Sequence, residues 1–250
     1  MKLVQLTTLA FSALLPCVAV DAAPRKVICE NFTATWCGYC PDVANGIIML
    51  LDEFPDNFYS MQVHGSDSYS TAWGNARNSF YSVPGYPTVW LNGLLKIEGS
   101  YGSPGANYSQ IRSRYMQLAN EATDVTINMC GSSVDGDTYS VSAQVGIENG
   151  GSGKTMTIHI VQVLHDYPSS PSYNYGCLKQ ASGQTITLTP GEMQDVTFEF
   201  DLDSSSQSHT ENVYYLAWAQ TTNTSGPSEV YQAEKHVHNS GDCQLDHFYV

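Results

Sequence analysis

Charge is scarce in this 250-residue chain: 14% of residues are charged, against roughly a quarter in an average protein. Positive charge is scarcest, with Lys and Arg totalling 10 against 24 for Asp and Glu, a net charge of -14. A surface this acidic repels phosphate backbones and anionic headgroups, which disfavours nucleic-acid binding and docking on acidic lipid. Gly (20) and Pro (11) are near average use, so collagen-like and low-complexity readings fall away. Past the N-terminus no apolar run is long enough to cross a bilayer. There is no nucleotide loop, no Gly-x-Ser-x-Gly, no Ca²⁺-loop spacing and no carboxylate pair suited to acid–base catalysis. Hydrophobic residues make up 42% of the chain, enough for a packed core.

The N-terminus carries Lys2, an apolar run from Leu3 to Val20, and small residues at Ala22 and Ala23. This reads as a secretory signal peptide over residues 1–22. Cys17 falls inside it, leaving Cys29, Cys37, Cys40, Cys130, Cys177 and Cys243 in the mature chain. Export puts these in an oxidising compartment: periplasm, outer surface or medium.

Residues 24–122 alternate strand and helix signals. Lys26–Thr33 and Phe58–Val63 are β-rich, while Pro41–Phe54 spaces Val43, Ile47, Leu50 and Phe54 as a helix does. Ser70–Phe80 reads as a helix, Thr88–Leu91 and Leu94–Glu98 as a hairpin about Asn92-Gly93, and Tyr108–Ala122 as a last helix. From 123 to 250 the pattern becomes short strands punctuated by Gly, Asn, Asp, Ser and Pro. These are Asp124–Cys130, Ser140–Ile147, Thr155–Leu164, Gln184–Leu188, Asp195–Leu202, Val213–Ala219 and Glu229–Val237. The expectation is an α/β domain followed by an all-β antiparallel sandwich of immunoglobulin or fibronectin type.

Chemistry concentrates at Trp36-Cys37-Gly38-Tyr39-Cys40-Pro41, between a strand and a helix. There the free N–H groups of the helix start favour a thiolate at Cys37. Cys40 sits close enough to resolve a mixed disulfide. A zinc site would need a second ligand pair at defined spacing, and none follows; no metal is expected. Trp36 and Tyr39 read as exposed rim residues that grip apolar, unfolded chains.

Phe32 to Cys40, followed later by Gly85-Tyr86-Pro87-Thr88 and Val89 to Gly93, resembles the thioredoxin superfamily over residues 26–122. The whole layout resembles, more loosely, bacterial envelope proteins that append a β-sandwich to a thioredoxin-like domain. The resemblance implies a thioredoxin-like fold for residues 24–122, a cis peptide before Pro87 facing Cys37, and a Tyr86 backbone that pairs with an extended client. One departure stands out. The family's buried acid, six residues before the first cysteine, is replaced by Asn31, and Ser60 stands near the place of its buried lysine. His64 is a candidate proton relay, or simply a loop cap.

The expected function is an exported thiol–disulfide oxidoreductase with Cys37 and Cys40 as catalytic residues and Trp36, Tyr39, Tyr86 and Pro87 binding substrate. It needs no organic cofactor, and its partners are disulfide-containing or unfolded proteins and a redox partner protein. The alternative is a non-catalytic surface or envelope binding protein with a structural Cys37–Cys40 disulfide. Cys29 is expected to be an inert core thiol, and Cys243 to pair with Cys177 or Cys130. His236, His238 and His247 with Asp242 and Asp246 offer a weak metal pattern, and Asp166, Asp201 and Asp203 read as solvated loop residues.

Overall fold

A computed structural model describes residues 23–166, 175–222 and 226–240. The expected signal peptide, Cys17, Cys243, Asp242, Asp246 and His247 lie outside these. The first half contains β1 (Ala23–Pro24), β2 (Val27–Thr33), α1 (Cys40–Glu53), β3 (Phe58–His64), α2 (Ala72–Phe80), β4 (Thr88–Leu91), β5 (Leu95–Glu98), α3 (Pro104–Ala119) and β6 (Ala122–Thr123). The second contains β7 (Val125–Ser133), β8 (Thr138–Ile147), β9 (Lys154–Leu164), β10 (Cys177–Leu188), β11 (Met193–Asp201), the short α4 (Ser204–Ser208), β12 (Val213–Thr221) and β13 (Val230–Val237).

Local sequence explains most boundaries. Ser103 caps α3, its hydroxyl accepting from the Ala106 N–H at 3.3 Å, and Pro104 opens the helix where a missing N–H costs nothing. That start lies ahead of the apolar stripe of Ile111, Tyr115 and Leu118, which had placed it at Tyr108. Thr71 caps α2 in the same way, accepting from Gly74 N at 2.9 Å. At the hairpin, Asn92 and Gly93 adopt φ of 47° and 65°, the left-handed pair that a two-residue turn requires. A side chain on Gly93 would also strike the Ser228 carbonyl.

The expectation of an α/β, thioredoxin-like domain followed by an all-β antiparallel sandwich is not met. The protein is mostly β, and its main sheet has eight strands in the order β13-β12-β9-β10-β3-β2-β4-β5. Strands from both halves of the sequence thus share one sheet. The junction is the start of β10, where Cys177 registers in parallel with Gln62 of β3 and Gln62 N donates to Gly176 O at 2.7 Å. Seven residues of β10, Cys177–Gly183, carry no alternating apolar pattern, and a register shift falls between Leu178 and Gln180. Hydrophobic periodicity therefore placed the strand's start too late and hid the connection.

A second sheet, β11-β8-β7, packs across the main one through Val125, Val141, Val145, Ile158, Ile160, Tyr215 and Phe200. Successive residues of β9 face opposite ways, so Val161 and Val163 join a second core with Ile28, Phe32, Met61, Tyr81, Trp90 and Trp218 beneath α2. A third core joins α1 and α3 to β2 and β4 through Val27, Cys29, Val43, Ile47, Leu50 and Ile111. β2 is buried along its whole length, the signature of a central strand covered on both faces.

Candidate functional site at the Cys37–Cys40 turn

The chain leaves β2 at Thr33 and turns tightly, with Cys37 N donating to Ala34 O at 3.1 Å and Cys40 N to Cys37 O at 3.3 Å. α1 starts at Cys40, so the helix mouth holds Cys40, and Cys37 lies in the turn before it. The two are joined in a disulfide with S–S 2.06 Å and Cα–Cα 5.5 Å. Their exposures are 8% and 3%, whereas Trp36 and Tyr39 between and beside them are exposed by 64% and 70%.

The Tyr86 ring packs against Ala34, Cys37 and Cys40 and lies 5.8 Å from the Trp36 ring. Its hydroxyl donates to Asn78 Oδ1 at 3.2 Å, and a Cβ on Gly65 would lie 1.8 Å from that oxygen, so glycine there admits the ring. Trp36 Nε1 donates to Ser66 O at 3.2 Å. The Tyr86–Pro87 peptide is cis. Thus Trp36 and Tyr86 form an aromatic pair beside the disulfide, anchored by the loops after β3 and before β4, and Tyr39 stands exposed in the same turn.

On the α1 face of β2 the buried polar groups are neutral amides. Asn31 Nδ2 donates to Gln62 Oε1 at 2.6 Å, both residues are buried, and Asn31 Oδ1 has no partner. Register pairs Asn31 with Gln62, and Ser60 with Cys29, so the residue opposite Asn31 is Gln62 rather than Ser60. Glu30 faces the other side of β2. Arg77 grips it through Nε and Nη2 at 2.8 and 2.7 Å, Tyr81 donates to it at 2.5 Å, and Arg77 Nη1 reaches Gln220 of β12 at 3.1 Å. The guanidinium lies among the rings of Trp73, Phe80, Tyr81 and Trp218. Burial and the Glu30 charge push the Tyr81 phenol far above its ordinary range.

His64 is buried and turned toward the second half of the chain. Its Nδ1 lies 2.7 Å from Asp67 Oδ2 and its Nε2 3.5 Å from Cys177 Sγ. Burial lowers its pKa, against the opposing pull of Asp67. Asp67 also accepts from Thr35 N at 2.7 Å, which ties this group to the Cys37 turn. Gln62, Asp67, Arg77 and Cys177 were not singled out as site residues from sequence. Gln62 meets Asn31, and Cys177 meets His64, only through pairing across the sheet.

Elsewhere, Cys130 is disulfide-bonded to a residue outside the described ones, while Cys177 is free, so no Cys243–Cys177 bond forms. Cys29 is free and wholly buried, its thiol pushed up to about 12 by that burial. His236 Nε2 meets Tyr139 OH at 3.0 Å, and His238 Nδ1 meets Tyr215 OH at 3.3 Å. Asp203 caps α4 and pairs with Lys179 at 2.6 Å. Among the described residues no group of three or more His, Cys, Asp or Glu is placed to hold a metal, and no helix is long and apolar enough to cross a membrane.

No protein-family model matches the chain, and the comparison with curated proteins gives no match. Among solved structures it is similar to HBP35 of Porphyromonas gingivalis, at 19% identity and a TM-score of 0.70, over 91% of this chain and 79% of that one. It is also similar to a protein of Agrobacterium tumefaciens, at 17% identity and a TM-score of 0.59, over 90% and 99%. These matches run through both halves, in line with a sheet shared between them. At such identities the likeness is one of fold. A domain of the outer membrane lipoprotein Omp28 from Porphyromonas gingivalis aligns at a TM-score of 0.35, too loosely to bear on it.

Proposed function

We propose that the chain is an exported binding protein that holds extended, apolar segments of other polypeptides against the rim of Trp36, Tyr39 and Tyr86, with the Cys37–Cys40 disulfide as a structural brace beneath it. The carrying observation is a contrast in exposure: two large aromatics stand in solvent at 64% and 70% while the cysteines they flank are 8% and 3% exposed. Exposed Trp and Tyr supply contact area at low entropic cost and dominate binding hot spots. On the α1 face of β2 the buried polar pair is Asn31 and Gln62, which neither takes nor gives a proton, and the carboxylate of β2, Glu30, is locked by Arg77 on the opposite face. Export rests on the N-terminal apolar segment and on the use of disulfides.

A second reading is thiol–disulfide exchange. Two observations favour it: Cys40 stands at the first position of α1, where the helix end stabilises a thiolate, and the motifs at Trp36–Cys40 and Gly85–Thr88 resemble those of the thioredoxin superfamily. In it, reduced Cys37 attacks a client disulfide and releases one client thiolate. Cys40 then attacks Cys37 Sγ, freeing the second, and a redox partner protein reduces the new Cys37–Cys40 bond.

One experiment separates them. Binding of a reduced, alkylated unfolded polypeptide is measured for the oxidised full chain and for Trp36→Ala and Tyr39→Ala. Turnover of a scrambled-disulfide protein is measured for the same chain and Cys37→Ser. The binding reading expects rim variants to weaken capture about tenfold or more, with turnover at the level of buffer. Capture indifferent to the rim, together with turnover abolished in Cys37→Ser, transfers the assignment to exchange.

A further inference from the structure

Two free thiols are described, Cys29 and Cys177, exposed by 0% and 1%. Burial holds both protonated, pushing Cys29 up to about 12 and Cys177 further still. Burial therefore does not distinguish them, but their neighbours do. Cys29 faces Ser60, whose hydroxyl is no proton acceptor at neutral pH. Cys177 faces an imidazole.

The tautomer of that imidazole follows from the hydrogen bonds around it. Burial works to raise the Asp67 pKa, but the bonds from His64 and from the Thr35 and Tyr69 N–H groups outweigh it and leave the carboxyl below its ordinary range. An ionised carboxylate only accepts, so His64 Nδ1 carries the hydrogen donated to it. Nε2 then presents a bare lone pair 3.5 Å from Cys177 Sγ. The carboxylate is fixed by Thr35 N at 2.7 Å and Tyr69 N at 2.9 Å, and the Tyr69 ring lies 5.1 Å from the imidazole. Nucleophile, base and orienting acid thus stand in order, contributed by β10, the end of β3 and the loop after it. Of the charges that reach the thiol, Lys179 favours its ionisation and Asp67 opposes it.

We propose that Cys177, His64 and Asp67 form a second sulfur site, at which small hydroperoxides oxidise Cys177 with His64 as proton carrier and Asp67 as its positioning residue. Cys177 Sγ attacks the terminal peroxide oxygen and the O–O bond breaks. Sulfur is oxidised by two electrons to a sulfenic acid as the peroxide is reduced. The thiol proton passes through His64 Nε2 to the departing alkoxide or hydroxide, which leaves as an alcohol or water. Cys177 and His64 are 1% and 2% exposed, so the oxidant is a small peroxide. The site is chemically separate from the Cys37–Cys40 pair, which is already a disulfide and has no thiol to oxidise.

The test uses the full chain with that disulfide intact, treated with hydrogen peroxide and sampled over time. Sulfenic acid is trapped with a 1,3-dicarbonyl reagent under denaturing quench and read at Cys29 and Cys177 by peptide mass spectrometry. Cys177 is expected to oxidise at least about a hundredfold faster than Cys29, the low end of what a placed acid–base group contributes. His64→Gln is expected to bring it down to the Cys29 rate. Asp67→Asn retains the imidazole but not its orientation, so it slows oxidation and shifts the pH profile. Equal rates at the two thiols, or a His64→Gln rate matching the parent, overturn the proposal. Should His64→Gln fail to fold, the rate ratio in the parent chain and the Asp67→Asn pH profile decide it.

Discussion

Neighbouring residues of β2 meet opposite environments. On the α2 side, Glu30 keeps a buried charge and is saturated by Arg77 and Tyr81. On the α1 side, Asn31 carries no charge and pairs with Gln62. Because side chains alternate along a strand, one step in sequence moves a group to the other face of the sheet. A carboxylate at position 31 would take the place of a neutral amide on the α1 face. The same carboxylate one residue earlier holds the seam between α2 and β12 and is unavailable for chemistry. The acid has a structural task on one face, and the other face is left inert.

The largest expected effect breaks the charged side. Arg77→Leu strands Glu30 in the core and is expected to cost about 3–5 kcal/mol, read from the urea midpoint at unchanged slope. Moving the charge to the inert side sharpens the comparison. In Asn31→Asp, burial raises the folded pKa above the unfolded value of about 3.9. The stability deficit against the parent then opens as pH rises above about 4 and stops growing once the folded pKa is passed. Gln62→Leu leaves Asn31 Nδ2 without its acceptor and is expected to cost about 1–3 kcal/mol. Trp36→Ala should change stability by less than about 0.5 kcal/mol, while weakening capture of unfolded chains.

Two buried imidazoles add a pH dependence. Burial, followed by the nearby Arg77 charge, lowers His159 to about 3, and burial lowers His64 against the pull of Asp67. In both cases the unfolded chain takes up the proton first. Their contribution is therefore complete above the ordinary histidine pKa of about 6.5. It is lost as pH falls, down to about 3 for His159. His159→Gln should flatten this part of the stability–pH curve, measured by denaturant midpoints at successive pH values.

Legibility from sequence followed the range of each signal. The helices, the Asn92-Gly93 hairpin and most strands of the second half are local patterns and were readable. The Cys-x-x-Cys turn is likewise local, and Trp36 and Tyr39 are exposed there as their position suggested. Long-range register was not readable. Cys177 and His64 are 113 residues apart, and Arg77 and Gln220 are 143 apart. The strand that joins the two halves enters through Cys177 and Leu178 and then runs through polar and small residues to Gly183, so no periodicity announces it.

The most direct test is a redox titration of the Cys37–Cys40 pair against glutathione and dithiothreitol buffers. A structural brace predicts a reduction potential below about -300 mV, whereas a value between about -120 and -230 mV, the range of dedicated oxidants and isomerases, would contradict it.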